Sequence, residues 1–159
     1  MNNLLSQKAV LLAPGGGPTL SFMGVTIAYK AASQETDGMY ALLDYSMPPK
    51  FAGPPPHWHK VTNEGFYVLE GKIIFMMDSQ VFLGEPGAFV QVPTRTIHKF
   101  SNDQDQPARM LSVITPGGFE EYFKELVTLA QSEPAWPPKD LGKLLVLYQK
   151  YDTFMPEEL

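Results

Sequence analysis

The spacing of the three histidines constrains this chain more than any other feature. His57 and His59 are separated by a single residue, and His98 follows in a later stretch. Side chains alternate faces along a β-strand, so His57 and His59 would project to one side and Trp58 to the other. A polar, turn-prone segment comes next, then Glu64 and an aromatic, β-branched stretch that is typical of a strand. A hairpin between these two strands would place Glu64 beside the histidine pair.

Three imidazoles and one carboxylate would form a metal site if His98 meets the other three residues. These donors suit one first-row divalent ion, Fe, Mn, Ni, Co, Cu or Zn, and the sequence does not choose among them. An H-x-H pair alone is weak support, because two surface or core histidines often have this spacing. Here the pair is followed, at fixed spacings, by Glu64, Gly71, Gly87, Pro93, His98 and Asn102. The wider pattern favours a metal site.

These residues resemble the two sequence motifs of the cupin superfamily. The first block is similar to that of single-domain cupins of the quercetin 2,3-dioxygenase-like group, and the resemblance covers about residues 20–116. It implies that the metal ligands are His57, His59, Glu64 and His98. It also implies a second, catalytic role for Glu64, as the base toward a substrate hydroxyl.

Two positions depart from the family's motifs. The leading glycine of the first motif falls at Phe51, and we expect Gly53 to make the same turn from two residues along. In the second motif, Arg95 stands where a glycine usually follows the proline by two residues. Neither change removes a ligand, but both alter loops near the mouth of the predicted barrel.

The stretch from Leu20 to Pro116 predicts an all-β fold. Short strands divided by Gly, Pro, Asn and Asp turns, with no helix among them, indicate an antiparallel double-sheet β-barrel of the cupin or jelly-roll type. Strands are expected over residues 21–31 and 38–47, with a hairpin turn at residues 36–38. The proline-rich stretch that follows predicts an extended loop leading to the histidine pair.

Two α-helices are predicted after the barrel. The first, over residues 119–131, has apolar side chains at helical spacing and acidic residues in its first turn. The second, over residues 141–151, has Asp140 as its N-cap. Its predicted apolar stripe consists of Leu141, Leu144, Leu145, Tyr148 and Tyr151. We expect both helices to pack on the outside of the barrel or across its mouth.

The length of 159 residues indicates one domain. Within it we expect an N-terminal segment over residues 1–19, the barrel over 20–116 and the helical extension over 117–159. A net charge of −5 without basic runs argues against nucleic acid and anionic membranes as partners. No apolar run is long enough for a membrane span, the N-terminus lacks a signal-peptide pattern, and no cysteine is present, so a cytoplasmic location is expected.

The predicted barrel interior is apolar and aromatic. A substrate pocket for a small, flat molecule would be lined by Phe66, Phe75, Met77 and Phe100. The alternative is that these four side chains only fill the core. Residues 73–77 are apolar on both faces, which indicates that the outer face is also covered, by a helix or by the second subunit of a homodimer.

Four protein ligands on an ion that prefers five or six leave positions for water, substrate or dioxygen. We therefore hypothesise a metal-dependent dioxygenase-like oxidoreductase that acts on a small phenolic or enolic molecule. Two alternatives stay open: a non-catalytic cupin that binds a small ligand, and a metal-assisted sugar-phosphate isomerase. The isomerase would need a basic cluster for the phosphate, and the nearby basic residues are only Lys60, Lys72, Arg95 and Lys99.

Overall fold

The computed structural model describes residues 9–158, so the first eight residues of the predicted N-terminal segment lie outside the described residues. The division into segment, barrel and helical extension stays a prediction. The elements in chain order are β1 (Thr19–Phe22), β2 (Val25–Ala31), β3 (Ala41–Met47), β4 (Trp58–His59), β5 (Asn63–Glu70), β6 (Ile73–Met77), β7 (Gln80–Gly84), β8 (Phe89–Val92), β9 (His98–Ser101), β10 (Ala108–Thr115), α1 (Glu120–Ser132), α2 (Leu141–Lys150) and β11 (Thr153–Phe154), followed by a short 3-10 helix at Pro156–Glu158.

The strands form three antiparallel sheets. A six-stranded sheet has the order β1-β2-β3-β10-β5-β8, a three-stranded sheet the order β7-β6-β9, and β11 pairs with β4. The double-sheet prediction therefore holds, but the prediction of a closed barrel is wrong, because no hydrogen-bonded ladder of the described strands joins the sheets into a ring. The proline-rich residues 48–56 explain part of the gap, since proline has no N–H to donate to a ladder.

The hydrophobic core lies between the six-stranded and three-stranded sheets. Phe66 of β5 is in ring contact with Phe75 of β6 and Phe100 of β9, with centroids 5.7 and 5.5 Å apart. Alternate residues of the two sheets point inward, as the strand period requires. This arrangement positions β5 and β9, which carry Glu64 and His98, on opposite sides of one interior.

The predicted strand over residues 21–31 is in fact a hairpin of β1 and β2. Its two-residue turn consists of Met23 and Gly24, which both have positive φ, +50° and +82°. Two consecutive residues in this conformation are typical of the turn that matches the twist of a two-stranded ribbon. Met23 does not have the residue type that normally indicates such a turn, so the break was not visible in the pattern.

The two C-terminal helices are present where they were predicted. Asp140 caps α2 and accepts a hydrogen bond from Gly142 N at 3.0 Å. The predicted stripe is partly wrong, because Leu141 and Leu145 are 55% and 43% exposed, whereas Leu144 and Leu147 are buried. Leu141 and Leu145 have helical spacing, and so do Leu144 and Leu147. The packing of α2 against α1 buries the pair Leu144 and Leu147. Among residues 9–158, no helix is long and apolar enough to cross a membrane.

The outer face of β6 is apolar, and its side chains Ile74 and Met76 are half-buried. Val81, Phe82 and Leu83 of the neighbouring edge strand β7 are 68%, 41% and 55% exposed. The predicted homodimer would cover this face, and it stays a prediction.

Candidate metal centre

Four side chains from three parts of the chain meet inside the fold. One donor atom from each of His57, His59, Glu64 and His98 lies within 4.8 Å of the other three, and all four residues are buried. The predicted convergence is therefore present.

The backbone brings these residues together in a way that differs from the predicted hairpin. His57 and His98 form an antiparallel bridge, with N–H···O distances of 3.0 and 2.8 Å in the two directions. Glu64 approaches from the other sheet, because β5 pairs with β10 and β8 rather than with β4. The hairpin prediction was wrong because residues 60–62 carry the chain from one sheet to the other.

Each imidazole is oriented by a backbone carbonyl. The three Nδ1 atoms lie 2.8 to 2.9 Å from a carbonyl oxygen, the partners being Pro55 for His57, Asp152 for His59 and Thr96 for His98. A carbonyl oxygen only accepts, so each Nδ1 must carry the proton and donate it. In a neutral imidazole this leaves Nε2 with a free lone pair, which is the form that binds a metal ion. All three rings are therefore arranged as ligands.

The Glu64 carboxylate is the charged centre of the cluster. Its Oε2 lies 2.8 Å from His98 Nε2 and 3.3 Å from His59 Nε2. Burial by itself would raise the pKa of Glu64, but the close approach of these two imidazoles to its carboxylate holds it well below its usual range. Burial lowers the pKa of His57 to about 4, and the neighbouring His98 adds to this shift. The carboxylate is thus ionised and His57 is neutral at pH 7.

The cluster fits a cation. Among the described residues, His59 Nε2 is a buried polar atom without a hydrogen-bond partner, since its approach to Glu64 does not have hydrogen-bond geometry. Buried polar groups are normally paired, and such an orphan requires an explanation. A metal ion bound by the lone pairs of the three Nε2 atoms and by the carboxylate would satisfy all four groups at once. This donor set suits a divalent first-row ion.

A cavity of about 730 Å³ opens next to the cluster, and His57 and Glu64 form part of its wall. Residues of both C-terminal helices form part of its wall. Apart from these two residues its surface is mainly aromatic and aliphatic, with contributions from Leu20, Phe22, Tyr45, Phe51, Phe100, Phe119, Tyr122, Phe123, Leu126, Trp136, Leu144 and Tyr148.

Of the four predicted pocket residues, only Phe100 lines this cavity. Phe66 and Phe75 lie in the core, 1% and 2% exposed, and Met77 packs against the same core cluster. The alternation of side chains correctly predicted that these residues point into the interior. The cavity occupies only one part of that interior, and the rest is filled by the packed core. The aromatic residues of the helices that line the cavity have ordinary helical spacing, which does not by itself indicate a cavity.

The two departures from the expected motifs each preserve a turn. Gly53 has φ +80°, and a Cβ at this position would lie 1.7 Å from the carbonyl oxygen of Phe100. It therefore serves as the turn glycine that Phe51 replaces. Arg95 has φ +64°, the conformation that favours glycine, and its N–H donates to His59 O at 2.7 Å.

Comparison with known proteins identifies the class. Residues 43–114 match the Cupin domain family, and this stretch contains all four cluster residues. The fold is similar to KdgF from Halomonas sp., with a TM-score of 0.62 and 13% identity, over 72% of this chain and 99% of that one. It is also similar to the polyketide cyclase RemF from Streptomyces resistomycificus, with a TM-score of 0.60 and 18% identity, over 68% and 80% of the two chains. The family match therefore identifies a cupin domain over residues 43–114.

The sequence also supports a relationship to the quercetin dioxygenase-like group. The chain is 35% identical over 96 residues to the quercetin 2,3-dioxygenase of Bacillus subtilis. The match covers 60% of this chain and 28% of that protein, so the chain spans less than a third of its relative.

Proposed function

We propose that the protein is a metal-dependent dioxygenase-like enzyme that acts on a small phenolic or enolic molecule. The observation that carries this proposal is the position of the buried His57, His59, Glu64 and His98 cluster at the wall of a large apolar cavity. The 35% identity to a quercetin 2,3-dioxygenase supports the same reaction class.

The four cluster residues would hold one divalent first-row metal ion. When bound, the ion would supply Lewis acidity, which lowers the pKa of a hydroxyl group placed against it. The hydrogen bonds from the three Nδ1 atoms to carbonyl oxygens would keep the imidazoles in the binding orientation.

Glu64 would also act as the base toward the substrate hydroxyl. Its contacts with His59 and His98 are made by Oε2. Oε1 is therefore the oxygen that is left to accept a proton from a ligand in the cavity. The low pKa of Glu64 keeps it ionised before the proton arrives.

Tyr45 would position the substrate oxygen. It lines the cavity and is 8% exposed, yet its hydroxyl has no hydrogen-bond partner among the described residues. Burial, with a smaller contribution from the Glu64 carboxylate, raises the pKa of Tyr45, so the phenol stays protonated at neutral pH. It can donate a hydrogen bond to an oxygen atom of a bound molecule.

The lining argues for an apolar substrate and against a phosphorylated sugar. Among the described residues that line the cavity, Lys50 is the one basic side chain besides His57. Its ammonium group is already engaged by Asp103 O at 2.7 Å and by Asp105 at 3.0 Å. A phosphate group would normally require several cationic donors.

The test is elemental analysis of the protein purified from its native host, followed by oxygen uptake with a panel of flavonols. We expect about one equivalent of a first-row metal and uptake with at least one flavonol, both lost after chelation and dialysis. Bound metal with no uptake across the panel would contradict the enzymatic proposal and leave a ligand-binding cupin. Protein without metal would contradict the metal site itself.

A further inference from the structure

The segment that follows α2 holds the metal-binding strand in place. Thr153 and Phe154 of β11 pair with His59 and Trp58 of β4. The Trp58 ring stacks on Phe154 with centroids 4.8 Å apart, and its indole N–H donates to Met155 O at 3.0 Å. This segment lies outside residues 43–114, which match the cupin domain.

Asp152, at the start of this segment, joins it to the candidate metal centre through five hydrogen bonds. Its carbonyl oxygen accepts a hydrogen bond from Nδ1–H of His59, with an Nδ1-to-oxygen distance of 2.8 Å. Its carboxylate accepts from the N–H groups of Lys60, Val61 and Thr62 at 3.1, 2.8 and 2.8 Å, and from the Thr62 hydroxyl at 2.9 Å. No other residue in the described part of the chain has this set of contacts.

These contacts connect two of the four candidate ligands. Residues 60–62 form the loop between His59 and Glu64. The Asp152 carboxylate accepts hydrogen bonds from three consecutive N–H groups of that loop. The same residue fixes the ring of His59 through its main chain. A shift of Asp152 would therefore change the direction of the His59 lone pair and the path of the backbone that leads to Glu64.

We propose that Asp152 is a positioning residue, which sets the geometry of His59 and of the 60–62 loop for metal binding. The proposal rests on the metal site of the proposed function and adds that the C-terminal segment is part of it. Hydrogen-bond partners of metal ligands typically contribute a factor of about 10 to 100 to metal affinity. We expect a loss of this size when the Asp152 carboxylate is removed.

The backbone of Asp152 has φ +54°, so the substitution must tolerate this conformation. Asp152→Gly removes all four carboxylate hydrogen bonds and keeps a residue that adopts positive φ readily. Asp37→Gly is the matched control, because Asp37 has φ +52° in an exposed turn and is not one of the cluster residues. Asp152→Asn retains one acceptor oxygen and should recover part of the lost affinity.

The measurement is Co²⁺ titration of the metal-free, full-length variants, followed by the visible absorption of the bound ion. We expect Asp152→Gly to bind Co²⁺ about 10- to 100-fold more weakly than wild type, with an altered spectrum, and Asp152→Asn to be intermediate. Asp37→Gly should bind like wild type. Near-UV circular dichroism of the metal-free proteins establishes that the fold is retained.

Two outcomes separate the failure of this inference from failure of the metal site. Wild-type affinity and spectrum in Asp152→Gly would overturn the positioning role, whereas no Co²⁺ binding by the wild type would overturn the metal site on which it rests. If Asp152→Gly does not fold, Thr62→Val removes one of the four carboxylate bonds. An unchanged Co²⁺ affinity and spectrum in Thr62→Val would then count against the role, and a smaller loss would support it.

Discussion

His98 Nε2 lies 2.8 Å from Glu64 Oε2, while Nδ1 of the same ring is 2.9 Å from the carbonyl oxygen of Thr96. Both partners are acceptors, so a neutral imidazole has a proton for only one of them. Either a second proton or a cation must lie between His98 and Glu64. His59 has the same arrangement, with Asp152 O on one side and Glu64 on the other. Two imidazolium rings with centroids 5.2 Å apart in a buried site would repel, which favours a single metal ion.

Glu64→Gln should lower turnover more than it weakens metal binding. The amide preserves the size of the side chain and one ligand oxygen, but it cannot accept the substrate proton. General-base catalysis is typically worth a factor of about 100 to 10,000, so we expect kcat to fall at least 100-fold. The measurement is kcat together with metal content and metal Kd.

The matched control for this substitution is Glu70→Gln, at the outer end of the same strand. Glu70 pairs with Arg109 at 3.0 Å, and its side chain is 66% exposed. A surface pair of this kind contributes little, so turnover and metal content should equal those of the wild type. Wild-type turnover in Glu64→Gln would rule out its role as the base.

Tyr45→Phe should impair catalysis without lowering stability. The Tyr45 hydroxyl lacks a partner among the described residues, so its removal breaks no hydrogen bond of the fold. We expect the free energy of unfolding to stay within about 0.5 kcal/mol of wild type, the usual range for changes that break no contact. If the hydroxyl binds the substrate oxygen, KM should rise or kcat should fall by about 5-fold, because one hydrogen bond is worth about 1 kcal/mol.

Tyr29→Phe should have the opposite effect and lower stability without impairing catalysis. The Tyr29 hydroxyl donates to Glu120 O at 3.0 Å in a buried setting outside the cavity lining. This substitution should cost about 1 kcal/mol in unfolding and leave kcat and KM unchanged. Urea denaturation and steady-state kinetics on both variants provide the comparison. Equal kinetic effects in the two variants would contradict a specific role for Tyr45.

Gly53→Ala should destabilise the protein strongly, and Gly38→Ala only weakly. Both glycines have positive φ, +80° and +74°. A Cβ on Gly38 meets no atom within 4 Å, so only the backbone conformation is penalised, by about 1 kcal/mol. A Cβ on Gly53 would lie 1.7 Å from Phe100 O, which no side-chain movement relieves. We expect a loss above about 4 kcal/mol, in the range that marks a severe structural conflict.

The readout for the glycine pair is the midpoint of urea unfolding. Phe100 is two residues from His98, so Gly53→Ala should also weaken metal binding in any fraction that folds. Similar midpoints for the two variants would mean that the turn at Gly53 can move away from β9, contrary to the packing described above.

The local features of this fold were predictable from the sequence, and the long-range ones were not. The H-x-H spacing predicted that His57 and His59 share a face, because side chains alternate along a strand, whereas the meeting of this pair with Glu64 and His98 was predicted only from the wider motif pattern. The Asp140 cap was also predictable, since capping depends on neighbouring residues. In contrast, Asp152 meets His59 only through the tertiary packing of α2 and β11, and no local pattern encodes that contact.

The same reasoning explains the differences between the predicted and the observed cavity lining and helix stripe. Phe66 and Phe100 both point inward, and only the position of α1 and α2 over the sheets decides that Phe100 lines the cavity. Leu145 and Leu147 are both compatible with an amphipathic α2, and the choice depends on the angle at which α2 packs. Sequence periodicity gives the face of an element but not the partner of that face.

Asp44→Asn should lower stability near neutral pH and have little effect in acid. Asp44 accepts two hydrogen bonds from Arg109, at 2.8 and 2.7 Å, and its side chain is 7% exposed. The Arg109 hydrogen bond is the largest contribution that holds the pKa of Asp44 below its ordinary value. A carboxyl with a lowered pKa in the folded state stabilises the protein above its unfolded pKa, and this stabilisation is lost as the pH falls through the folded pKa.

We therefore expect Asp44→Asn to cost about 2 kcal/mol at pH 6, the range for a hydrogen bond to a charged group. The difference from wild type should begin to shrink near the ordinary pKa of Asp, about 4, and be lost as the pH falls through the lowered pKa of Asp44 in the folded state. Urea unfolding at pH 6, 4 and 2.5 measures it. Glu85→Gln is the control, because its pair with Lys72 is exposed, so its unfolding midpoint should follow wild type at each pH. A constant difference between Asp44→Asn and wild type across this range would show that the substitution acts through packing and not through the charge of Asp44.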